Sequence, residues 1–291
     1  MHIVIADNEG SDRARQICEE FERENRIPVT YVHEPERGIS FARNACLDHV
    51  PPDCTFFFFI DDDEVPEVDW LERMLEAQAI TAADVVQGSV IPVFHADAPE
   101  WLKSGDFLGW PRRGWVGVRP PLEQYQELRE AYTNNVLVRR ATVAATGVRF
   151  DPAYALTGGG DTIFFRALHA KGVRIVYAAD ARVTEVVPPE RATLWYRLCL
   201  EYRIANNRVP AHQAPRKRKL RRRLRQSWHE GGLSKISSGI GYFMGSLVSG
   251  KLTMDRTVVA GLRIACGLGQ SARSVGLKYH PYRERPSRLV R

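Results

Sequence analysis

Residues 61–64 read Asp61, Asp62, Asp63, Glu64 and follow directly on the run TFFFFI at 55–60. Four carboxylates at the lip of an apolar segment repel one another, and desolvating them costs more still. Two arrangements relieve the repulsion. Water solvates the acids at a strand end, or a divalent cation shares them. Hard cations such as Mg2+ and Mn2+ prefer carboxylate oxygens, and Mg2+ takes one or two of them together with substrate phosphates. Alternate residues of an extended stretch point the same way. Asp61 and Asp63 then form the pair, and Asp62 faces elsewhere. For the triplet alone a solvated turn is the simpler account; the fully apolar strand before it brings the metal reading level.

A second group lies at Thr157, Gly158, Gly159, Gly160, Asp161. Three glycines let backbone approach a ligand closely. Asp161 opens a predicted helix with Ile163, Phe164, Phe165 and Leu168 on its apolar side. The stretch is neither G-x-G-x-x-G after a strand nor a Walker loop, since no GK[ST] follows. Alone, it reads as an N-cap aspartate after a flexible turn. His33, His49, His169 and His229 show no metal-ligand spacing.

These residues need elements to hold them. Residues 2–6 read as a short strand ending at Asp7. A helix follows from Ser11, with Ala14, Ile17, Cys18 and Phe21 at helical spacing. Residues 28–33 alternate as a strand, 38–50 form a helix, and 55–60 suit a strand covered on both faces. Leu71, Met74, Leu75 and Gln78 mark another helix. The order β-α-β-α-β-α predicts an α/β fold with a mostly parallel sheet and flanking helices. Ligands in such folds gather outside the carboxyl ends of the strands, where Asp7 and Asp61–Asp63 both lie. Further strands are predicted at 84–94, 134–140 and 173–183, and a long helix at 190–207. Residues 95–131, rich in Pro, Gly and Trp, read as a surface excursion. A boundary between 205 and 215 divides an α/β domain, 1–205, from a basic, helical C-terminal region, 206–291.

The 291 residues suffice for a full core, and 44% hydrophobic with 26% charged residues is ordinary for a globular protein. Five cysteines without a C-x-x-C pair point to reduced thiols in a cytosol-like compartment rather than a disulfide framework or zinc site. The N-terminus has neither the basic nor the long apolar region of a signal peptide. The net charge of +6 is concentrated, with eight bases at 216–225. Residues 236–250 and 258–269 are too short or too polar to span a bilayer. Beside a polybasic run they read as an in-plane helix pair on an anionic membrane surface, or equally as a solvated basic cap on the α/β domain.

The stretches GISFARNACLDH, FIDDDEVPEVDWLERML, TNNVLVRR and GGGDTIFFRALHAKG, in this order, resemble a family 2 glycosyltransferase of the GT-A fold. APEWLKSGDF and VVPPERAT make the resemblance narrower. They are similar to bacterial glucosyltransferases that build succinoglycan-type exopolysaccharide on a lipid-linked acceptor. The resemblance covers residues 1–205. It implies an inverting, metal-dependent transfer of one sugar from a nucleotide-sugar donor, a UDP-hexose such as UDP-glucose, to a lipid-linked saccharide. On it, Asp61 and Asp63 are the DxD pair: Asp63 reaches Mn2+ or Mg2+, and Asp61 the ribose or the metal. Asp7 lies near the nucleobase, Arg43 and Asn44 near the nucleotide, and Asp161 is the general base. Trp101, Trp110 and Trp115 offer stacking surfaces for sugar, although ordinary packing of a long loop is the simpler account of each, and Trp101, Gly159 and Gly160 lie by the acceptor. The implied location is cytoplasmic, peripheral at the inner face of the bacterial membrane through residues 216–225.

Three departures from the family pattern stand out. The family's first strand should precede residues 2–6, so the fold is expected without it. Gly160 stands where an acidic residue usually precedes the base. Thr184 stands where a metal-binding histidine is often found, with Glu185 beside it as a substitute metal or phosphate ligand. Competing readings are a GT-A scaffold without catalysis, a metal-dependent phosphatase or nucleotidyltransferase, and a polybasic nucleic-acid-binding protein. No nucleic-acid module accompanies the basic run, so no nucleic acid is expected as partner. The lack of spanning helices and of a QxxRW-like signature argues against a processive synthase.

Overall fold

The computed structural model describes residues 1–103, 122–207, 231–277 and 279. Strand β1 (Ile3–Asp7) and strand β2 (Val29–His33) pair in parallel around helix α1 (Asp12–Asn25). Ser11 caps that helix by accepting from the Ala14 N–H at 3.3 Å. Helix α2 (Ile39–Asp48) leads to β3 (Phe56–Ile60), β4 (Glu64–Pro66) and α3 (Trp70–Thr81). Next come β5 (Val85–Phe94), α4 (Glu100–Lys103), β6 (Glu127–Leu128), β7 (Asn135–Arg139) and α5 (Arg140–Thr146). The order closes with α6 (Gly160–Ala170), β8 (Ile175–Val187), α7 (Leu194–Asn207), α8 (Gly232–Val248) and α9 (Met254–Ser274).

The sheet is mixed, which corrects the expectation of a mostly parallel one. Its order is β3-β7-β5-β8-β4, with β6 also on β8. Parallel pairing holds for β1 with β2 and for β5 with β8; the other pairings are antiparallel. The crossover rule fixes direction only for strands joined through a helix that returns to the same sheet. β7 follows β6 through residues 129–134, which hold no helix, and inserts between β3 and β5, so that rule does not make it parallel.

Both faces of β3 are covered, as its composition requires. Phe57 and Phe59 join a core with Phe150 and Phe164, while Phe56 and Phe58 join one with Met74 and Leu137. All four stay half-buried because β3 has one strand neighbour, β7. β1 likewise pairs only with β2, and α2 approaches it with Cys46 Sγ 4.0 Å from the Val4 carbonyl. The predicted helix at 190–207 begins only at Leu194, because Pro189–Arg191 form a 3-10 turn.

A buried polar clamp sets the register of the central strands. The β5–β8 pairing jumps from Gly88↔Ala178 to Ser89↔Arg182, so residues 179–181 bulge from β8. Asn135, fully buried on β7, fills the break. Its Nδ2 donates to the Ser89 and Ala181 carbonyls at 2.8 and 2.9 Å, and its Oδ1 accepts from Trp70 Nε1 at 2.8 Å. Gly88 is required here, since a Cβ would come within 2.4 Å of Asn135 Nδ2 and the Ala181 carbonyl. From the last bulged residue onward β8 alternates cleanly, with Ala181, Val183, Glu185 and Val187 inward. Glu185 thereby faces Glu64 across the β4–β8 pair.

Replacing Asn135 by Leu leaves two buried carbonyls and an indole N–H unsatisfied, at roughly 1–3 kcal/mol each. Asn135→Leu is therefore predicted to lower unfolding free energy by about 3 kcal/mol or more. Urea unfolding followed by far-UV circular dichroism reads this; an unchanged midpoint would contradict the clamp. A second prediction concerns Asp7. The Tyr31 hydroxyl at 2.7 Å, then the Glu9 N–H at 2.8 Å, hold its carboxyl below the usual aspartate range. Such a contribution is present above the unfolded pKa and lost as pH falls through the depressed folded value. Tyr31→Phe should raise the Asp7 titration in a carboxyl-carbon NMR pH series, and an unmoved resonance would rule out the hydroxyl as chief cause.

Candidate active site

A cavity of about 440 Å3 opens where β3, β8, α6 and α7 end or pass. Asp61, Asp62 and Asp63 line it from the turn after β3. That turn is closed by the Glu64 N–H donating to the Asp61 carbonyl at 3.2 Å and by the Asp61 N–H donating to Glu64 Oε2 at 3.1 Å. Glu64, 8% exposed, thus turns inward and holds the other three out. This corrects the expectation that Asp62 faces away. The residues form a tight turn, so strand alternation does not apply to them.

Asp161 reaches the same cavity from the first turn of α6. It is not the cap. Gly159 is the N-cap and makes no side-chain bond, while Asp161 Oδ1 accepts from the Thr162 N–H at 2.7 Å. Gly158 and Gly159 hold φ of 78° and 82°, a left-handed pair costing any other residue about 1–2 kcal/mol each. Gly160 packs closely as well, since a Cβ there would stand 3.3 Å from Ser40 Oγ. The far end of α7 pins the loop, with Asn207 Nδ2 donating to the Thr157 carbonyl at 2.6 Å.

Glu185 brings a fifth carboxylate in from β8. In all, seven carboxylates and four guanidiniums line the cavity, so it is short of positive charge. Arg191 stands between two of the acids, its Nη1 3.5 Å from Asp63 Oδ2 and 3.7 Å from Glu185 Oε1. Arg43 Nη2 lies 3.8 Å from Asp61 Oδ1. These ion pairs are longer than direct hydrogen bonds and partly exposed, so each is weak and exchangeable. Among the described residues no three or more His, Cys, Asp or Glu form a complete metal cage. The donor set nevertheless suits a hard cation. Asp63 and Glu185 converge on one cationic nitrogen, and two carboxylates with substrate phosphates is the usual Mg2+ arrangement.

The remaining sequence candidates lie outside the cavity lining. Asp7 is engaged with Tyr31 and the backbone leading into α1. The amide of Asn44 is paired both ways with Phe150, donating to its carbonyl and accepting from its N–H, each at 2.9 Å. Arg43 touches the site only through Asp61. Trp101, 8% exposed, packs with Val187, Val258 and Leu262 in a core, and its neighbour Leu102 reaches the cavity instead. Trp110, Trp115 and the basic run 216–225 lie outside the described residues.

Sequence reasoning missed the α7 wall. Tyr196, Arg197, Glu201 and Arg203 line the cavity, and Arg197 and Glu201 are buried. Their i,i+4 spacing on a helix otherwise tied to the core was a usable signal. Arg191 was missed as well, within a stretch noted only for resemblance. Across the cavity, Glu130 is held by Arg166 Nε at 2.7 Å.

The chain is similar to known proteins in sequence and in fold. The family model described as Glycosyl transferase family 2 matches residues 1–144. Succinoglycan biosynthesis protein ExoM of Rhizobium meliloti (strain 1021) is 38% identical over 194 residues, 67% of this chain and 59% of that protein. ExoW of the same strain, also a succinoglycan biosynthesis protein, is 29% identical over 89 residues, 31% of this chain and 28% of its own. The chain thus spans less than two thirds of the length of these relatives. The crystal structure of GalNAc-T7 with UDP, GalNAc and Mn2+ superposes with a TM-score of 0.50 at 13% identity, covering 72% of this chain and 45% of that one. That likeness concerns the GT-A fold alone. By sequence, the chain belongs to glycosyl transferase family 2 over residues 1–144, and its fold is GT-A.

Proposed function

We propose that this protein is an inverting glycosyltransferase that moves one sugar from a UDP-sugar to a lipid-linked saccharide in exopolysaccharide assembly. The observation carrying the reading is a single cavity lined by Asp161 on one side and the Asp61–Asp63 turn on the other. Family membership and the succinoglycan relatives support it. A UDP donor and a divalent cation are supported by the ligands of GalNAc-T7, UDP and Mn2+. The hexose, with UDP-glucose the first candidate, and the acceptor's lipid rest on the resemblance of the motifs.

Asp161 acts as general base. It takes the proton of an acceptor hydroxyl as that oxygen attacks the anomeric carbon. The bond from that carbon to the diphosphate breaks on the opposite side, so the configuration inverts and UDP leaves. One base suffices for a single displacement. Asp63, with Asp61 or Glu185, would hold Mn2+ or Mg2+, which supplies charge stabilisation to the diphosphate when bound. Arg191, beside Asp63 and Glu185, would meet the negative charge of the leaving diphosphate, and Arg43 orients Asp61. Gly158 and Gly159 line the cavity beside Asp161 and leave that side open to an acceptor, while Gly160 packs on Ser40 behind it. No helix of the described residues is long and apolar enough to cross a membrane. The proposed location is accordingly peripheral, at the cytoplasmic face of the bacterial inner membrane, near the lipid-linked acceptor.

The test is release of UDP from UDP-glucose and other UDP-hexoses in the presence of Mn2+ and membrane lipid extract. Asp161→Asn should lower kcat by about 10²–10⁴-fold, the usual worth of a general base. UDP affinity should stay intact. Wild-type kcat in this variant would remove Asp161 from the chemistry. Phosphate or pyrophosphate as the product would favour a hydrolase or nucleotidyltransferase instead.

A further inference from the structure

Helices α8 and α9 form a C-terminal hairpin whose mutual contact runs through small residues. Gly239 of α8 and Gly267 of α9 lie at that contact. A Cβ at Gly239 would come 2.8 Å from Ile264 Cγ1, and one at Gly267 would come 2.5 Å from the Gly232 carbonyl. Large apolar residues on α8 face outward. Ile240, Met244 and Leu247 are about half exposed, and Val248 is 83% exposed. Their spacing of i, i+4, i+7 and i+8 makes one helical stripe. Leu252 and Met254 extend it through the turn into α9, at 41% and 50% exposure. Among the described residues nothing covers this ridge. A contiguous apolar patch of this kind marks a surface that meets something.

Charge identifies what it meets. No acidic residue occurs from 231 to 254, and Lys235 and Lys251 flank the stripe. Residues 208–291 hold 19 Lys and Arg against three Asp and Glu, although the whole chain carries only +6. An apolar ridge within a one-signed basic segment complements an anionic bilayer, where side chains enter the acyl boundary and bases meet headgroups. A second copy would bring like charge against like charge, and a nucleic acid would gain nothing from Leu247 and Val248.

The ridge is rigidly tied to the cavity. α9 packs on the back of α7 so tightly that a Cβ at Gly269 would lie 2.2 Å from the Tyr202 carbonyl. Buried Asn206 of α7 donates from Nδ2 to the Gly269 and Leu277 carbonyls at 3.1 and 2.9 Å. Val258 and Leu262 of α9 share a core with Trp101 and Leu102. We infer that the α8–α9 hairpin is a membrane-docking element that inserts Ile240, Met244, Leu247 and Val248 into the interface of an anionic bilayer. Resting on the reading of a lipid-linked acceptor, this docking holds the active-site cavity at the surface where that acceptor lies.

The test is co-sedimentation of the full chain with vesicles of phosphatidylcholine alone or mixed with phosphatidylglycerol. The wild type should bind the mixed vesicles, and less so as salt rises. Leu247→Asp combined with Val248→Asp should weaken that binding at least tenfold. Both positions are exposed, so thermal unfolding and the UDP affinity measured by calorimetry should not change. Those two controls separate failure of this inference from failure of the proposed chemistry. Binding by the double variant as tight as wild type would overturn the inference and assign membrane attachment to the basic run. It would equally fall if wild type ignores both vesicles and sediments instead as a dimer that the double variant dissociates, or if it is retained on DNA in their place.

Discussion

Crowded carboxylates around one cavity are the constraint that the rest of this structure serves. Asp61, Asp62, Asp63, Asp161, Glu185 and Glu201 all face a single space. Such a set is tolerable only where positive charge is close or water has access. The protein supplies both in part. Arg191 spans Asp63 and Glu185, and Arg43 stands by Asp61, at distances that leave each pair easy to exchange. In the proposed reading, a cation and a phosphate would take over the places the guanidiniums hold.

Positioning those acids requires three separate devices. Glu64 turns back to bind the Asp61 N–H, which closes the turn and projects the aspartates. Two successive left-handed glycines deliver Asp161 at the start of α6. The Asn135 clamp fixes the β8 bulge, and through it the inward face that carries Glu185. None of these devices lies in the cavity's chemistry, yet each decides where a carboxylate points. The fourth wall, α7, is braced from behind by α9, so the C-terminal region supports the site from outside the cavity.

The parts legible in the sequence were those carried by local pattern. The TFFFFI run announced a strand with both faces buried, and Ser11 announced a helix start. The acids after β3 and the glycines before Asp161 were recognisable as a pair because motif order constrains what the fold brings together. What escaped was non-local. Nothing in residues 134–140 fixes their direction, because β7 follows β6 through residues 129–134, which hold no helix. Asp62 was assigned to the wrong side because a four-residue turn obeys hydrogen bonding and not strand alternation. The work of Asn135 and Gly88 depends on a bulge across three strands, and Arg191 matters only because β8 places Glu185 opposite the turn. Trp101 is packed in a core, the simpler of its two readings, but the α9 residues that cover it lie far along the chain.

The most direct test of the central claim is calorimetric titration of UDP into the 291-residue chain with and without Mn2+, alongside Asp63→Ala. The account predicts UDP binding that requires Mn2+ in the wild type and disappears in Asp63→Ala. No UDP binding in either condition, or binding that is indifferent to both Mn2+ and Asp63, would contradict the claim that the acidic turn is a metal-assisted donor site.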